Sequence, residues 1–124
     1  APIDPLDIVT VDTGTVGTTI SVSGGDKKES VTCKTFDRVM VNGNRSVVTV
    51  KGACRLVIIN GDSNQITADA FMDIVINGSG NTVTYSRYVN GKRPVINNNA
   101  EGNTVEKASA AEVTGTPSKN KSAK

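Results

Sequence analysis

The chain has 124 residues, a formal net charge of +2 and only four aromatic side chains. This length suits one domain with a modest core, and so small a charge argues against a nucleic-acid partner. No apolar run reaches the length needed to cross a bilayer, so no membrane span is predicted.

Residues 1–7 contain two prolines and are predicted to be a lead-in. From Ile8 onward, Val, Ile and Thr are interrupted by Gly, Asn and Asp, the composition of strands and turns. No segment keeps an apolar pattern at helical spacing, so the fold class is predicted to be all-β. One apolar residue marks each predicted strand, at spacings of 8 to 12 residues: Val11, Ile20, Val31, Val39, Val48, Val57, Ile66, Ile74, Val83, Val95 and Val105.

An internal repeat dominates the middle of the chain. Residues 39–43 (VMVNG) return as 57–61 (VIING) and again as 74–78 (IVING), at a nearly constant spacing. After each glycine a second phrase also returns, at 46–49, 64–67 and 81–84. A repeat this regular predicts an architecture, although it does not predict a function.

Two architectures place a strand about every nine residues. In an antiparallel meander or β-sandwich each strand turns back on its neighbour, and the three Asn-Gly pairs favour it because Asn-Gly is a strong hairpin signal. In a β-solenoid the chain winds in one direction and successive coils stack. Because the repeat spans two strands at a time, we predict a single-domain β-solenoid (parallel β-helix or β-roll) with 17–18-residue coils over residues 8–106.

Stacked coils bring identical positions together in columns. Met40, Ile58 and Val75 are predicted to face outward or into a second layer, while Ile66 and Ile76 point inward. The predicted columns are Val41, Ile59 and Ile76; Val48, Ile66 and Val83; Phe36, Cys54, Phe71 and Tyr88; and, at one corner, Asn64, Asn81 and Asn103, whose amides can satisfy turn backbone groups.

The two cysteines, Cys33 and Cys54, have no histidine near them because the chain contains none. A zinc site or a Cys-His catalytic pair is therefore excluded, and no metal or cofactor is expected. The offsets place Cys33 level with Val50, close to the coil of Cys54, which favours a disulfide over two buried thiols. Together with three Asn-x-Ser sequons and an Ala-Pro start, a disulfide predicts a processed, secreted protein.

The phrases at 59–67 (INGDSNQIT) and 76–84 (INGSGNTVT) resemble a group of small secreted proteins classed only as a domain of unknown function. That group is built from G-x-x-N-x-V-T-V repeats, and the resemblance covers roughly residues 39–105. It implies a β-solenoid outside the cytoplasm and carries no catalytic residues. Ser46 replaces the repeat asparagine in the first clear coil, and Asn97-Asn98 stands where Asn-Gly is expected.

The acidic residues give no sign of an active site. Asp62, Asp69 and Asp73 follow the repeat spacing and do not form the carboxylate pair that glycoside hydrolysis needs, so no catalytic residue and no enzyme is predicted. Calcium-binding rolls would show G-G-x-G-x-D in each turn, whereas the regular coils here carry Asn-Gly-x-x-Asn. An ice-binding face would need regular threonine pairs, whereas Thr49, Thr67 and Thr84 stand beside Val47, Gln65 and Thr82.

The repeat is interrupted once, by residues 85–94, which are predicted to lengthen one coil by about three residues. Insertions in solenoids commonly carry binding sites, and this one supplies the predicted binding residues Arg87, Tyr88, Lys92 and Arg93; the alternative is surface decoration. Residues 107–124 are predicted to be a solvated Lys/Ser/Ala-rich tail. We therefore expect a non-enzymatic secreted β-solenoid, an effector or surface-binding protein with an extracellular protein or glycan partner. The alternative is a carbohydrate-binding or carbohydrate-cleaving β-helix module.

Overall fold

A computed structural model describes residues 4–108 as a β-solenoid of about five turns. A 3-10 helix (Pro5–Asp7) precedes ten strands. The strands are β1 (Ile8–Val9), β2 (Thr19–Ser23), β3 (Lys28–Thr32), β4 (Arg38–Asn42), β5 (Val47–Ile59), β6 (Gln65–Ile76), β7 (Thr82–Tyr85), β8 (Tyr88–Val89), β9 (Val95–Asn98) and β10 (Thr104–Lys107).

Every strand pairing in this part of the chain is parallel, so the prediction of a solenoid is confirmed and the meander is wrong. Each turn has three sides. The first side stacks β2, β4, residues 56–59, residues 73–76 and β9. The second side stacks β3, residues 47–50, residues 65–68, β7 and β10. The third side is short and includes residues 53–54 paired with 70–71, and β8 paired with β1.

The first and second sides meet at the asparagine corner, which we define as residues 42–46, 60–64, 77–81 and 99–103. The Asn-Gly pairs lie here, and they form no hairpins. A Cβ atom at Gly61 would collide with the carbonyl oxygen of Gly43, and one at Gly78 with that of Gly61. Glycine is therefore required because successive turns approach each other backbone to backbone, and this requirement produces the Asn-Gly signal that a hairpin would also give.

The turn that begins at Val39 is one residue longer than the turn that begins at Val57, and the extra residue lies at the corner between the second and third sides. The pairing of β5 with β6 shifts between Val50 and Ala53, and Gly52 has a φ of +82°. A side chain there would also meet the Cys33 carbonyl oxygen, 2.7 Å from the Cβ position. Such a bulge explains why the spacing of the repeat is not constant.

The main core consists of stacked Val and Ile columns, as predicted. Ile66 is 2% exposed and Ile76 is fully buried, while Met40, Ile58 and Val75 lie half-buried on the outer surface of the first side. β-Branched side chains fill these columns because they suit a pleated surface and have few rotamers to lose. The columns are Val22, Val41, Ile59 and Ile76; Val39, Val57 and Ile74; Val48, Ile66 and Val83; and Val50, Ala68 and Tyr85.

The disulfide between Cys33 and Cys54 is confirmed, with their Cα atoms 5.4 Å apart. It joins the first turn to the second at the third side. The predicted register was wrong by two residues, because Val31 pairs with Val50 and Cys33 comes two positions later, donating its N–H to Lys51 O. The difference arises because the first turn is longer here: Arg38 follows Val31 by seven positions, whereas their partners Leu56 and Val50 are six apart.

The prediction that Phe36 stacks with Cys54 and Phe71 is wrong. Phe36 has a φ of +55°, and its ring belongs to a second, smaller apolar cluster with Ala53, Ala70 and Val89. The guanidinium of Arg55 lies 4.6 Å from the ring centroid. The left-handed backbone turns the ring away from the main core, which no side-chain pattern could indicate.

The second cluster is covered by the N-terminal return segment, which we define as residues 8–18. β1 pairs with β8 and supplies a further strand on the third side, while Asp7 meets Lys107 at the end of β10 (Oδ2 to Nζ, 3.0 Å). The segment then crosses the turns back to β2. The Arg55 guanidinium holds the segment by donating hydrogen bonds to the carbonyls of Thr13 and Thr15. Val11, predicted to mark a strand, lies outside any strand and packs against this cluster.

Asp37 anchors the far end of the return segment. Its buried carboxylate accepts hydrogen bonds from the Thr35 hydroxyl (2.6 Å) and from the N–H of Thr18 (2.8 Å). These bonds, the Thr35 hydroxyl first, lower the pKa of Asp37 from 3.8 to about 2. A carboxylate held by several donors stays ionised because the charged form is the better acceptor.

The two end turns place polar residues in the inward columns. Glu29 pairs with Val48 at one end. At the other end, Asn98 pairs with Ile76 and Lys107 with Tyr85. Lys107, the first residue of the predicted tail, is thus part of β10, and the tail beyond residue 108 lies outside the described residues. The domain boundaries remain predictions.

Candidate functional site

The interruption of the repeat lies between β7 and β9 and carries β8. Leu56 pairs with Asp73 and Asp73 pairs with Val95, so this coil is longer than the regular ones by four or five residues rather than the predicted three. Asn90 has a φ of +53° and Gly91 one of +73°, which turn the chain after β8. The Asn90 side chain also accepts the N–H of Val11. Part of the extension therefore holds the return segment.

The four predicted binding residues all belong to the extension, on β8 or directly beside it along the chain. Arg87, Lys92 and Arg93 are exposed and Tyr88 is half-buried. The Arg93 guanidinium lies 5.8 Å from the centroid of the Tyr88 ring, and Lys107 Nζ lies 5.5 Å from it. Cations at these distances are attracted to the ring face. Tyr88 is thus flanked by two cations, and we define the basic cluster as the four predicted binding residues Arg87, Tyr88, Lys92 and Arg93.

Tyr88 also belongs to the core. Its ring contacts that of Tyr85 edge-on, with centroids 5.8 Å apart, and Tyr85 contacts Phe71 at 5.3 Å. Tyr85 pairs with Ala68 in an inward column, and Tyr88 packs against the main core. Burial, with the adjacent Tyr88, raises the pKa of the Tyr85 phenol. This phenol therefore stays neutral at physiological pH and acts as a packing group.

Beside the basic cluster, a groove of about 360 Å³ runs across three turns of the second side. One row of its lining is Thr49, Thr67 and Thr84, and the facing row consists of Lys51, Asp69, Ser86 and Arg87. Val50, Ala68 and Tyr85 lie between the rows, and because their side chains are buried the floor is largely backbone. The groove is at the lower end of the size range of small-ligand sites.

Arg87 belongs to both the groove and the basic cluster. Its Nε lies 3.5 Å from Asp69 Oδ1, with 45% and 33% of the two side chains exposed. The backbone N–H groups of Ser86 and Arg87 both donate to the Asp69 carbonyl. The position of Arg87 is therefore set by the turn below, while its guanidinium keeps donors for a further acceptor.

The sequence does not predict the groove, although it places Thr49, Thr67 and Thr84 at matching positions of successive coils. The signal that could have revealed it is the next outward position, where Lys51, Asp69 and Ser86 follow the threonines by two residues. Two outward rows on a flat sheet leave a channel between them.

Within residues 4–108, no group of three or more Cys, Asp or Glu side chains is placed to hold a metal ion, and the chain has no histidine. In the same residues, no helix has both the length and the apolarity to traverse a lipid bilayer.

Comparison with protein families matches residues 41–102 to the family described as "Protein of unknown function (DUF3060)". This is half of the chain. The chain belongs to the DUF3060 family. No curated protein and no solved structure matches it.

The DUF3060 match includes every predicted binding residue from Arg87 to Arg93 and the whole groove, and leaves out the return segment and β10. The matched region therefore contains the repeating turns and the extension, while the return segment at one end and β10 at the other are outside it.

Proposed function

We propose that this DUF3060 protein is a non-enzymatic, secreted binding protein that recognises an acidic extracellular surface through Arg87, Tyr88, Lys92 and Arg93. The observation that carries the proposal is that the extended turn of the solenoid carries three exposed cations on either side of a half-buried tyrosine along the chain, one of which, Arg93, lies 5.8 Å from its ring centroid. Arginine binds carboxylate, sulfate and phosphate groups through two parallel hydrogen bonds, so such a cluster favours an acidic partner.

The disulfide supports a location outside the cell. Cys33 and Cys54 are bridged and buried at the third side, and a stable structural disulfide is typical of oxidising compartments. Mass spectrometry of the protein from its native source, after alkylation without reductant, tests this point. Two alkylated thiols in the folded protein would contradict secretion.

Binding is favoured over cleavage because, among the described residues that line the groove, Asp69 supplies the one carboxylate. Hydrolysis of a glycosidic bond by the common mechanisms uses two carboxyl groups about 5–10 Å apart. Asp69 Oδ1 also lies 3.5 Å from Arg87 Nε, so this carboxylate already has a partner.

A carbohydrate module is the second candidate, and the groove favours it. Its hydroxyl row of Thr49, Thr67 and Thr84 faces charged groups of Lys51, Asp69 and Arg87 across a channel that spans three turns. In this second candidate function, one part of an acidic glycan lies in the groove, and the part that extends beyond the groove binds the basic cluster.

The test compares two triple variants with the same change of charge. Arg87→Ser/Lys92→Ser/Arg93→Ser removes the basic cluster, and Lys27→Ser/Lys28→Ser/Lys34→Ser removes three exposed cations at the opposite end of the solenoid. Binding is measured on immobilised polygalacturonate, on a poly-glutamate peptide and on neutral dextran. We expect the first variant to lose at least about tenfold in affinity for an acidic probe at low salt, and the second to resemble the wild type.

Equal losses in both variants would mean that only net charge matters, and no loss in either would refute the site. Binding to polygalacturonate but not to poly-glutamate would select the carbohydrate module. Release of reducing ends from polygalacturonate, abolished by Asp69→Asn, would contradict the non-enzymatic assignment.

A further inference from the structure

The outer surface of the first side carries a patch of aliphatic side chains that nothing in the described structure covers. We define the aliphatic patch as Met40, Leu56, Ile58, Val75 and Val95. The first four are half-buried among one another, and Val95 is 56% exposed. They come from the stacked strands β4, β5, β6 and β9, so the patch lies on a sheet surface. Contiguous aliphatic surface of this kind indicates an interface.

Two opposite charges flank the patch at symmetric positions. Arg38, Leu56 and Asp73 follow one another in a single outward column, one turn apart. Met40, Ile58 and Val75 form the adjacent outward column in the same order. Because parallel strands are about 4.8 Å apart, the Cα atoms of Arg38 and Asp73 are separated by roughly 10 Å, and Arg38 Nε donates in the other direction, to the Thr19 hydroxyl.

We propose that this surface is a homodimer interface in which two copies pack face to face about a two-fold axis running along residues 56–59. That operation reverses the order of the turns and keeps the strand direction. It places Arg38 of one copy opposite Asp73 of the other, twice, and Met40 opposite Val75, twice. Leu56 and Ile58 meet their own copies at the axis. The surface is therefore complementary to itself, which a closed two-fold interface requires.

The ends of the solenoid are poor alternatives for a second copy. Stacking one copy on the end of another would set Glu29, which occupies the column of Val48, against the apolar column of the next molecule. Asn98, in the column of Ile76, would do the same at the other end. An inward-pointing charge on an edge strand opposes this kind of association because it would be buried without a partner.

The size of the surface sets the strength expected. Five strand segments about 4.8 Å apart and four or five residues long give roughly 350 Å² per copy, or about 700 Å² for the pair. This is below the size of stable specific interfaces, so a weak, transient dimer is expected that forms only at high protein concentration.

Sedimentation velocity up to about 500 µM tests the proposal with two charge reversals. In a dimer of Arg38→Asp, two aspartates face each other twice, and in a dimer of Asp73→Arg two arginines do, so each variant alone should be monomeric. An equimolar mixture restores both opposite-charge contacts, and it should recover the dimer. Lys28→Asp and Glu106→Arg make the same charge changes on the second side; each should dimerise as the wild type does.

A wild-type protein that stays monomeric at 500 µM would overturn the proposal and leave the patch to a partner of another kind. Self-association of Arg38→Asp at the wild-type level, or a mixture that stays monomeric, would overturn it as well. Ile58→Thr keeps a strand-forming side chain and provides an uncharged check. It should weaken the dimer at least about tenfold, and an unchanged dimer would place the interface elsewhere.

Discussion

At the asparagine corner successive turns are held together by asparagine side chains, with Ser46 in the equivalent place at the first turn, whereas at the third side every turn is closed differently. Asn64 Nδ2 donates to Gly43 O and Asn81 Nδ2 to Gly61 O, and each Oδ1 accepts a backbone N–H from the turn below. On the third side a disulfide joins two turns, aromatic rings fill two others, and the return segment covers the outside.

This difference shows which part of a solenoid has to repeat. The asparagine corner brings buried backbone groups of successive turns together, and those groups need a polar side chain as a partner in every turn. The third side is closed by apolar contacts, which are not directional and can be made by side chains of different shapes. The extension that carries Arg87 and Arg93 is therefore inserted beside the third side, where it disturbs no repeated hydrogen bond.

The largest expected effect is at the asparagine corner, for Asn81→Ala. The change leaves the N–H of Asn64 and the carbonyl of Gly61 buried without partners. With about 1–3 kcal/mol for each buried unsatisfied group, the free energy of unfolding should fall by about 4 kcal/mol. Urea denaturation measures this.

Asn77→Ala is the matched control, because Asn77 belongs to a second ladder of stacked asparagines at the same corner. This ladder is exposed, and in it Asn77 bonds to the side chains of Asn60 and Asn99. Water replaces its hydrogen bonds, so the loss should be under about 1 kcal/mol. Similar losses for Asn81→Ala and Asn77→Ala would contradict the importance assigned to burial.

The second effect concerns the third side. Replacing Cys33 and Cys54 together by Ser opens a loop of 21 residues and should lower the free energy of unfolding by about 3 kcal/mol, chiefly by releasing the unfolded chain. Denaturation of the double variant and of the reduced wild type should agree. A loss no larger than that of Asn77→Ala would show that the third side is held by its apolar contacts alone.

The smallest effect is pH-dependent and involves Asp37. Since its pKa is lowered from 3.8 to about 2 in the folded protein, the carboxylate stabilises the fold above pH 3.8, and this contribution is lost as the pH falls toward 2. Asp37→Asn should flatten the decline of stability between pH 4 and pH 2 and should cost about 1 kcal/mol at pH 7. A decline as steep as that of the wild type would assign the acid sensitivity to other carboxylates.

Most of the solenoid could be predicted because each turn repeats nearly the same residues at nearly the same spacing. The inward columns of Ile66 and Ile76, the asparagine ladder and the disulfide were all predicted correctly. One assignment at the edge of the repeat was wrong. Asn97-Asn98 was aligned with Asn-Gly, whereas Asn99 continues the exposed ladder by donating to Asn77 Oδ1, because the extension moves the register by more than the assumed three residues.

The errors lie where backbone geometry or distant segments decide the structure. The left-handed φ of Phe36 directs its ring into the second cluster, and the sequence around it carries no glycine signal. The pairing of Ile8 with Tyr88 joins strands from opposite ends of the domain, which periodicity cannot reveal. For the candidate site, the basic extension was recognised as an interruption of the repeat, but the groove depends on two rows of side chains that only a register brings together.

The return segment has a consequence for how the chain folds. Solenoids usually gain stability turn by turn, because each repeat contacts only its neighbours. Here β1 has no partner strand until β8 has been synthesised, and Asp7 has no ion pair until Lys107 follows, 100 residues later. Contacts of such separation slow folding and couple its two ends. The chain should therefore fold as a single cooperative unit, and a nascent chain lacking its last two turns should keep its second apolar cluster accessible to chaperones.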